Sequence, residues 1–418
     1  MGNLDVTGLA AFKDDLKRAA ELLTGQNFTR ARLVFHDDAD GVTAAAITYA
    51  ALKKLAIEPE LLCLEKAFPE ALSLIHGGSE GLVVYVDIGS AHAELIAQLN
   101  GGRNLTLILD HHKPQPSPSG NVVNLNPELH GVDGGTYASG ASVCYAFAKA
   151  LNVAEPFMSA LAVVGSAEVP GDPKGLNEEA LKDALKAGLA EALLHGGGLK
   201  VAVEVAGERA SRERWSTKLT TLSSVGYYVG GPRMAVDLCL GRASENVEDT
   251  LTKLEEERKA VSQVLLSKIR TEGLNKEGSV HWLHAGDVFK NMGTKVIGTF
   301  LSFLAFQRRF IDRSKYLVGF MNVQPEIPGL GTLRGSYVKV SARAPDVLAS
   351  LVKEGVKPPL SELLPEAARM VGGFGDGHSV AASGIIPKGQ ERAFIKYMDS
   401  LASGGRPSRA SSLLDFMR

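Results

Sequence analysis

Three short stretches combine carboxylates with imidazoles in a way that suits divalent-cation binding and phosphoester hydrolysis. The first is His36-Asp37-Asp38-Ala39-Asp40-Gly41, the second ends the run LVVYVD on Asp87, and the third is Asp110-His111-His112. Alternation around single residues in an extended loop lets His36, Asp38 and Asp40 point one way. Asp87 and His111 add ligands from neighbouring segments. Two cations about 4 Å apart activate a water and stabilise a leaving oxygen, and a carboxylate such as Asp87 can bridge them. Taken singly, each stretch has a plainer reading. An Asp-x-Asp is usually a turn or a helix N-cap, Asp87 alone could cap the next helix, and a His-His pair is usually incidental. The combination, in order and always at the end of an apolar run, points to chemistry.

Those runs read as elements. ARLVFH at 31–36, LVVYVD at 82–87 and LTLILD at 105–110 each carry an apolar run that ends in an acid or histidine, and helical patterns alternate with them. That is the signature of a parallel sheet covered on both faces, in which functional groups collect at the carboxyl ends of the strands. Leu9, Phe12, Leu16, Ala20 and Leu23 predict a helix over 8–24, and an alanine-rich helix is expected at 42–54. Further helices are predicted at 139–151 and 157–168. The stretch 190–240 has loops marked by Gly196-Gly197-Gly198 and Gly230-Gly231-Pro232 and no clear pattern. The longest helical pattern, 244–271, is expected to connect two domains. Beyond it come strands at 279–284, 315–322 and 333–343 and helices at 293–308, 346–353 and 361–370. A glycine-rich loop, Gly372-Gly373-Phe374-Gly375-Asp376-Gly377-His378, precedes a last strand and helix. The fold class expected is α/β: a parallel-sheet domain, a helical connector and a smaller mixed α/β domain.

Composition bounds the function. The 418 residues carry 45 Lys and Arg against 47 Asp and Glu, a net charge of −2. The chain is therefore no polycation, and nucleic-acid binding would need a local basic groove or metal ions. Cys63, Cys144 and Cys239 lie far apart, which excludes a disulfide framework and a CxxC zinc site and suggests a reducing, cytoplasmic setting. No apolar run approaches the ~20 residues that span a bilayer, and the first residues lack a signal-peptide pattern. No membrane association is expected.

His36-x-Asp38-x-Asp40-Gly41, Asp87 and Asp110-His111-His112 resemble the first three motifs of the DHH phosphoesterase superfamily, and Asn126-Pro127 with Ser139-Gly140-Ala141 resembles the stretch after them. The glycine run from Gly372 to His378, with Ala381-Ala382 and with Lys339-Val340-Ser341-Ala342-Arg343, resembles the DHH-associated C-terminal domain. Gly226-Tyr227-Tyr228 and Met292 to Gly298 look most like the archaeal RecJ-like group that includes the GINS-associated nuclease. The resemblance implies two divalent metal ions, Mn²⁺ with Mg²⁺ as the alternative. His36, Asp40 and Asp87 would hold one; Asp38, Asp87 and His111 would hold the other. His112 would face the scissile phosphate and Asp110 would orient a histidine. Arg343, Ser341, Gly373, Gly375, Gly377 and His378 would grip the nucleic-acid end.

One departure stands out. The family's fourth motif places an aspartate after a small glycine-containing run, and here that run reads Val164-Gly165-Ser166-Ala167-Glu168-Val169-Pro170-Gly171-Asp172. Glu168 or Asp172 could complete the second metal site after a local shift, and if neither does, that metal is weakly held. The expected organisation is a DHH domain over 1–240, a helical connector over 241–275, a substrate-binding domain over 276–402 and a flexible tail over 403–418, with the site in the cleft between domains. The activity implied is that of a RecJ-like exonuclease on single-stranded DNA or RNA, acting 5′ to 3′, with GINS or another replication component as candidate partner. Two alternatives remain: a nanoRNA or cyclic-dinucleotide phosphodiesterase, and a catalytically silent replication-fork scaffold. In the tail, Leu413-Leu414-Asp415-Phe416 could dock a partner, though a frayed end is the simpler expectation.

Overall fold

The computed structural model describes residues 3–78, 81–116, 120–242 and 246–404. The expected tail segment from 405 on, with Leu413, Leu414 and Phe416, lies outside the described residues. The chain forms two compact units, one of residues 1–252 with 327–331 and one of 253–326 with 332–418. The division falls inside the helix Val247–Glu272, which runs from one unit into the other.

The first unit begins with α1 (Asn3–Thr24) and continues β1 (Arg30–His36), α2 (Ala39–Lys54), β2 (Glu58–Leu64), α3 (Pro69–His76), β3 (Leu82–Val86), α4 (Ala93–Asn100), β4 (Leu105–Leu109) and β5 (Val122–Leu125). The five strands form one parallel sheet in the order β2-β1-β3-β4-β5. All five residues of β3 and of β4 are buried, as continuous LVVYV and LTLIL runs require between helical layers. Three further helices follow: α5 (Gly134–Tyr137), α6 (Gly140–Ala150) and α7 (Pro156–Gly165). The expected helix over 157–168 stops at Gly165, and Ser166–Glu168 tightens into a 3₁₀ turn.

The stretch without a sequence reading contains a three-stranded antiparallel sheet of β6 (Ala190–His195), β7 (Gly198–Val205) and β8 (Glu208–Ser211). Its signal was present: Val201, Val203 and Val205 alternate inward, and Gly196-Gly197 and Ala206-Gly207 make two-residue hairpin turns.

A buried polar network ties α3 to the sheet. His76 Nε2 lies 2.9 Å from the Tyr85 hydroxyl and Nδ1 3.3 Å from Asn100 Oδ1. Burial pushes the His76 imidazole down to about 4. Its folded value is below the unfolded 6.5, so this stability is complete above pH 6.5 and is lost as pH falls toward 4. The loss expected is about 3 kcal/mol. Urea titrations at pH 7 and pH 4.5 on the wild type and His76→Gln check it, and equal pH dependence in both proteins would refute it.

The second unit holds a six-stranded mixed sheet with neighbours in the order Phe374–Gly377, Ala381–Pro387, Tyr337–Arg343, Tyr316–Asn322, Val280–His284 and Asn275–Glu277. Only Val280–His284 and Tyr316–Asn322 pair in parallel. Helices Asp346–Lys353, Leu360–Met370 and Glu391–Ala402 bring Leu348, Leu364 and Phe394 to the core with Val318, Phe320, Val338 and Val340. Three expectations are corrected here. The strand predicted from 333 begins at Tyr337, and the helix predicted to 308 ends at Leu304. The glycine run is an edge strand, because a side chain at Gly375 would meet Leu364 Cδ2 at 2.5 Å and one at Gly373 would strike the Ile385 carbonyl. No helix among the described residues is long and apolar enough to cross a membrane.

Candidate metal centre

Phe35 pairs with Val86 and Val86 with Leu109, so the residues that follow, His36, Asp87 and Asp110, end three adjacent strands at one level. The tertiary structure thereby brings the three motifs to one edge of the sheet. Asp87 turns out of β3 with φ +58°, a left-handed backbone that aspartate tolerates better than most residues. Its amide donates to the Leu109 carbonyl at 2.9 Å, which anchors the turn.

α2 begins three residues earlier than expected because Asp38 caps it, accepting from the Gly41 amide at 3.0 Å. Asp38 therefore stays beside the strand end, where its Oδ2 lies 2.9 Å from His36 Nδ1, with Asp87 Oδ2 3.9 Å from the same nitrogen. Asp40 sits in the first turn of α2 and faces the other way. It accepts from the first amides of α6, Gly140 and Ala141, each at 2.8 Å. His111 Nε2 lies 3.5 Å from Asp40 Oδ2 and 3.4 Å from Asp87 Oδ1. The proximities differ from the expected division of ligands. Asp38 lies beside His36, Asp40 lies beside His111, and Asp87 stands between the two pairs.

The donor set fits divalent cations. Asp87 Oδ1 is buried with no hydrogen-bond partner. His111 Nδ1 lies 2.9 Å from the Gly134 carbonyl, which only accepts, so this nitrogen donates. In a neutral ring Nε2 then carries a lone pair facing two carboxylate oxygens, acceptor against acceptors, an arrangement that a cation resolves. Burial raises the Asp87 carboxyl well above its ordinary range, and Asp40 and Asp38 reinforce the shift. Burial also raises Asp40, against the His111 imidazole and the two amides.

Asp110 plays a different part. Its oxygens accept from the Ser90 amide at 3.0 Å and from the amides of His111 and His112 at 2.7 and 3.1 Å, and Oδ1 lies 2.8 Å from His112 Nδ1. Burial would raise this carboxyl, but the two imidazoles and the amides outweigh it and hold it far below its usual range. Burial opposes charge on His112, and Asp110 overcomes that and pushes the ring up to about 9. The His112 side chain is 43% exposed, so its ring is presented toward solvent. Asp110→Asn is expected to cost about 10–100-fold in activity. It should also return the His112 titration toward about 6.5, read by NMR. A His112 titration left near 9 would sink this assignment.

Three glycines close around the carboxylates. A Cβ at Gly140 would lie 2.5 Å from Asp87 Oδ1, one at Gly165 would lie 2.5 Å from Asp40 Oδ1, and one at Gly134 would strike the His111 carbonyl. Gly134 had no functional reading in the sequence, and Gly165 had only its place in the fourth-motif run; only a folded backbone reveals such close approaches. Asp37, also passed over, is buried, with Oδ1 3.4 Å from His36 Nε2 and Oδ2 unpartnered. Ser90 was missed as well. It joins Asn126, whose Nδ2 donates to Ser90 Oγ at 2.9 Å and to the His112 carbonyl at 2.7 Å.

Glu168 and Asp172, either of which could have completed a metal site, do not join the cluster. Glu168 is exposed and accepts from Ser216 Oγ at 2.9 Å, while Asp172 is exposed and accepts from the Leu199 amide at 2.8 Å. The buried Arg212 fixes this segment, donating to Ser166 Oγ at 3.4 Å and to the Gly171 carbonyl at 2.9 Å.

In the second unit Ser341 and Arg343 share one face of the strand Tyr337–Arg343. The Arg343 guanidinium donates to Ser302 Oγ at 2.9 Å and to the Gly298 and Ala342 carbonyls at 3.0 and 2.9 Å. All these acceptors are neutral, and burial pushes the guanidinium down to about 10. Gly373, Gly375 and Gly377 approach their own sheet, and a side chain at Gly377 would strike Ala382. The exposed His378 sits at the hairpin turn that follows, its amide donating to the Ala381 carbonyl at 2.8 Å.

Comparison with known proteins agrees with this geometry. Residues 32–165, which carry the three acidic motifs, match the DHH family, N-terminal domain. A curated relative, the uncharacterized protein MJ0831 of Methanocaldococcus jannaschii, is 31% identical over 140 residues, covering 32% of this chain and 31% of its own length. Among solved structures, RecJ from Thermus thermophilus in complex with Mn²⁺ superposes with a TM-score of 0.62 at 18% identity, covering 95% of this chain and 55% of that one. An exonuclease RecJ bound to manganese has a TM-score of 0.59 at 18% identity, covering 96% of this chain and 97% of that one. CDC45 from Entamoeba histolytica has a TM-score of 0.53 at 10% identity, covering 95% of this chain and 99% of that one. Residues 32–165 thus match the N-terminal domain of the DHH family, and the α/β fold of the chain is similar to that of RecJ.

Proposed function

We propose that this chain is a metal-dependent phosphodiesterase of the exonuclease kind, hydrolysing phosphodiester bonds at the end of a single-stranded nucleic acid in the 5′-to-3′ direction. The observation that carries this reading is the convergence of His36, Asp38, Asp40, Asp87 and His111 at three neighbouring strand ends, with Asp87 Oδ1 buried and unpartnered. His36, Asp38 and Asp87 would hold one cation, and Asp40, Asp87 and His111 the other, with Mn²⁺ preferred and Mg²⁺ as the alternative. Such cations, when bound, supply an activated water and offset the charge of the phosphate. His112, as an imidazolium, would donate to a phosphate oxygen, and Asp110 would fix its ring. Arg343 has no acidic partner among its hydrogen bonds and would fork onto a second phosphate, with Ser341 beside it. Gly373, Gly375, Gly377 and His378 would line that grip. The similarity to manganese-bound exonuclease RecJ supports the assignment.

The test is digestion of one end-labelled single-stranded oligonucleotide with Mn²⁺, in DNA and RNA versions, beside a dinucleotide. Stepwise loss from one end supports an exonuclease and reads its polarity. Cleavage of the dinucleotide alone moves the assignment to the short-substrate phosphodiesterases. One observation favours a silent scaffold: no acid from the 164–172 segment reaches the cluster. Metal binding without turnover on any substrate is the result expected of that reading, in which a replication component such as GINS is the partner to test.

A further inference from the structure

The helix Lys295–Leu304 has two dissimilar sides. On one, the Gly298 carbonyl and Ser302 Oγ accept from Arg343. On the other, Phe303 is 47% exposed, and Phe306, just past the helix end, is 80% exposed. Phe303 is held from below by the buried Phe300, their ring centroids 6.4 Å apart. Leaving a phenylalanine in water forgoes roughly 1.5–3 kcal/mol of burial. Single exposed apolar residues are ordinary, but two aromatic rings within one turn, followed at once by the exposed Arg308 and Arg309, form a composite surface.

Neither arginine makes an ion pair among the described residues. Asp346 lies near enough to feel Arg308, but its carboxylate is engaged by Arg313. The other cation close by, Arg270, lies over the Phe310 ring at 5.9 Å. The turn therefore offers two exposed aromatic rings and two guanidinium groups that make no ion pair among the described residues. That pairing suits an unpaired nucleic-acid strand, whose bases stack on aromatic rings while its phosphates meet arginine. A purely apolar partner would leave the arginines desolvated without counter-charge.

Resting on the proposed nuclease reading, we infer that Phe303 and Phe306 with Arg308 and Arg309 form a stacking platform that binds a single-stranded segment beyond the phosphate gripped at Arg343. Phe303 directly follows Ser302, which holds Arg343, so platform and grip belong to one helix, on its two sides, within one unit.

The experiment is fluorescence anisotropy of labelled oligothymidylate about twenty nucleotides long, titrated with the full chain in EDTA so that no cleavage intervenes. Phe306→Ala is expected to weaken binding about tenfold, the effect of losing one stacked base. Phe306→Trp should restore it. Arg308→Ala with Arg309→Ala should lower the slope of log affinity against log salt by about 1.4, two phosphate contacts on a single strand. Because Phe306 is largely exposed, its variants are not expected to disturb folding. Unchanged binding by Phe306→Ala overturns the inference. So does a dimer that becomes a monomer on Phe306→Ala in sedimentation, which would assign the surface to a second copy. Binding that depends on Phe306 in a protein that cleaves nothing with Mn²⁺ supports the platform and sinks the nuclease reading. Cleavage with Phe306-independent binding does the reverse.

Discussion

Asp87→Asn is expected to lower Mn²⁺-dependent hydrolysis by about 10³-fold or more, several kcal/mol of transition-state stabilisation. Asp87 stands between both ligand pairs, within 3.4 Å of His111 and 3.9 Å of His36. An amide of equal size preserves packing but removes the charge that two cations would share. The folded state should survive and even gain stability, because the variant relieves a buried carboxyl crowded by Asp40 and Asp38. A single-turnover assay beside a thermal melt checks both halves. Calorimetric Mn²⁺ titrations add a pH signature. The Asp87 carboxyl is raised without metal, so Mn²⁺ competes with a proton there, and affinity should fall as pH drops. Wild-type activity retained in Asp87→Asn would remove the basis for the metal centre.

Gly140→Ala is the second large effect. The added methyl would lie 2.5 Å from Asp87 Oδ1 and crowd its Cβ as well, so the carboxylate or the start of α6 must move. A displacement near 1 Å in a reacting constellation costs about 10²-fold, and that is the loss expected in kcat. Alanine is intrinsically the better helix residue by about 1 kcal/mol, so the melting temperature should change little. Gly78→Ala is the control, since nothing lies within 4 Å of its added methyl. Equal activity in the two variants would mean that the glycine does not set the position of Asp87.

Much of the site was legible before folding was considered, and the reason is local. LVF and LVVYV are apolar without interruption and LTLIL is broken only by Thr106, so they read as buried parallel strands, and an acid or histidine ending each is a property of adjacent residues. The division of ligands was not legible. Whether Asp38 or Asp40 joins His36 depends on where α2 begins, and the Asp38 cap decides that by a single hydrogen bond. Gly134, Gly140 and Gly165 look alike in one dimension, and each is required by a neighbour distant in the chain. Glu168 and Asp172 were reasonable ligands by order, but Arg212, about forty residues on, ties their segment elsewhere.

The sequence alone therefore determined the kind of chemistry and the strands that present it, because residue type and hydrophobic period act over a few neighbours. The tertiary structure alone decided which oxygen faces which nitrogen, which acids are excluded and which glycines must lack a side chain. Those outcomes depend on ångström-scale approaches between segments far apart in the chain, and spacing along the sequence does not encode them.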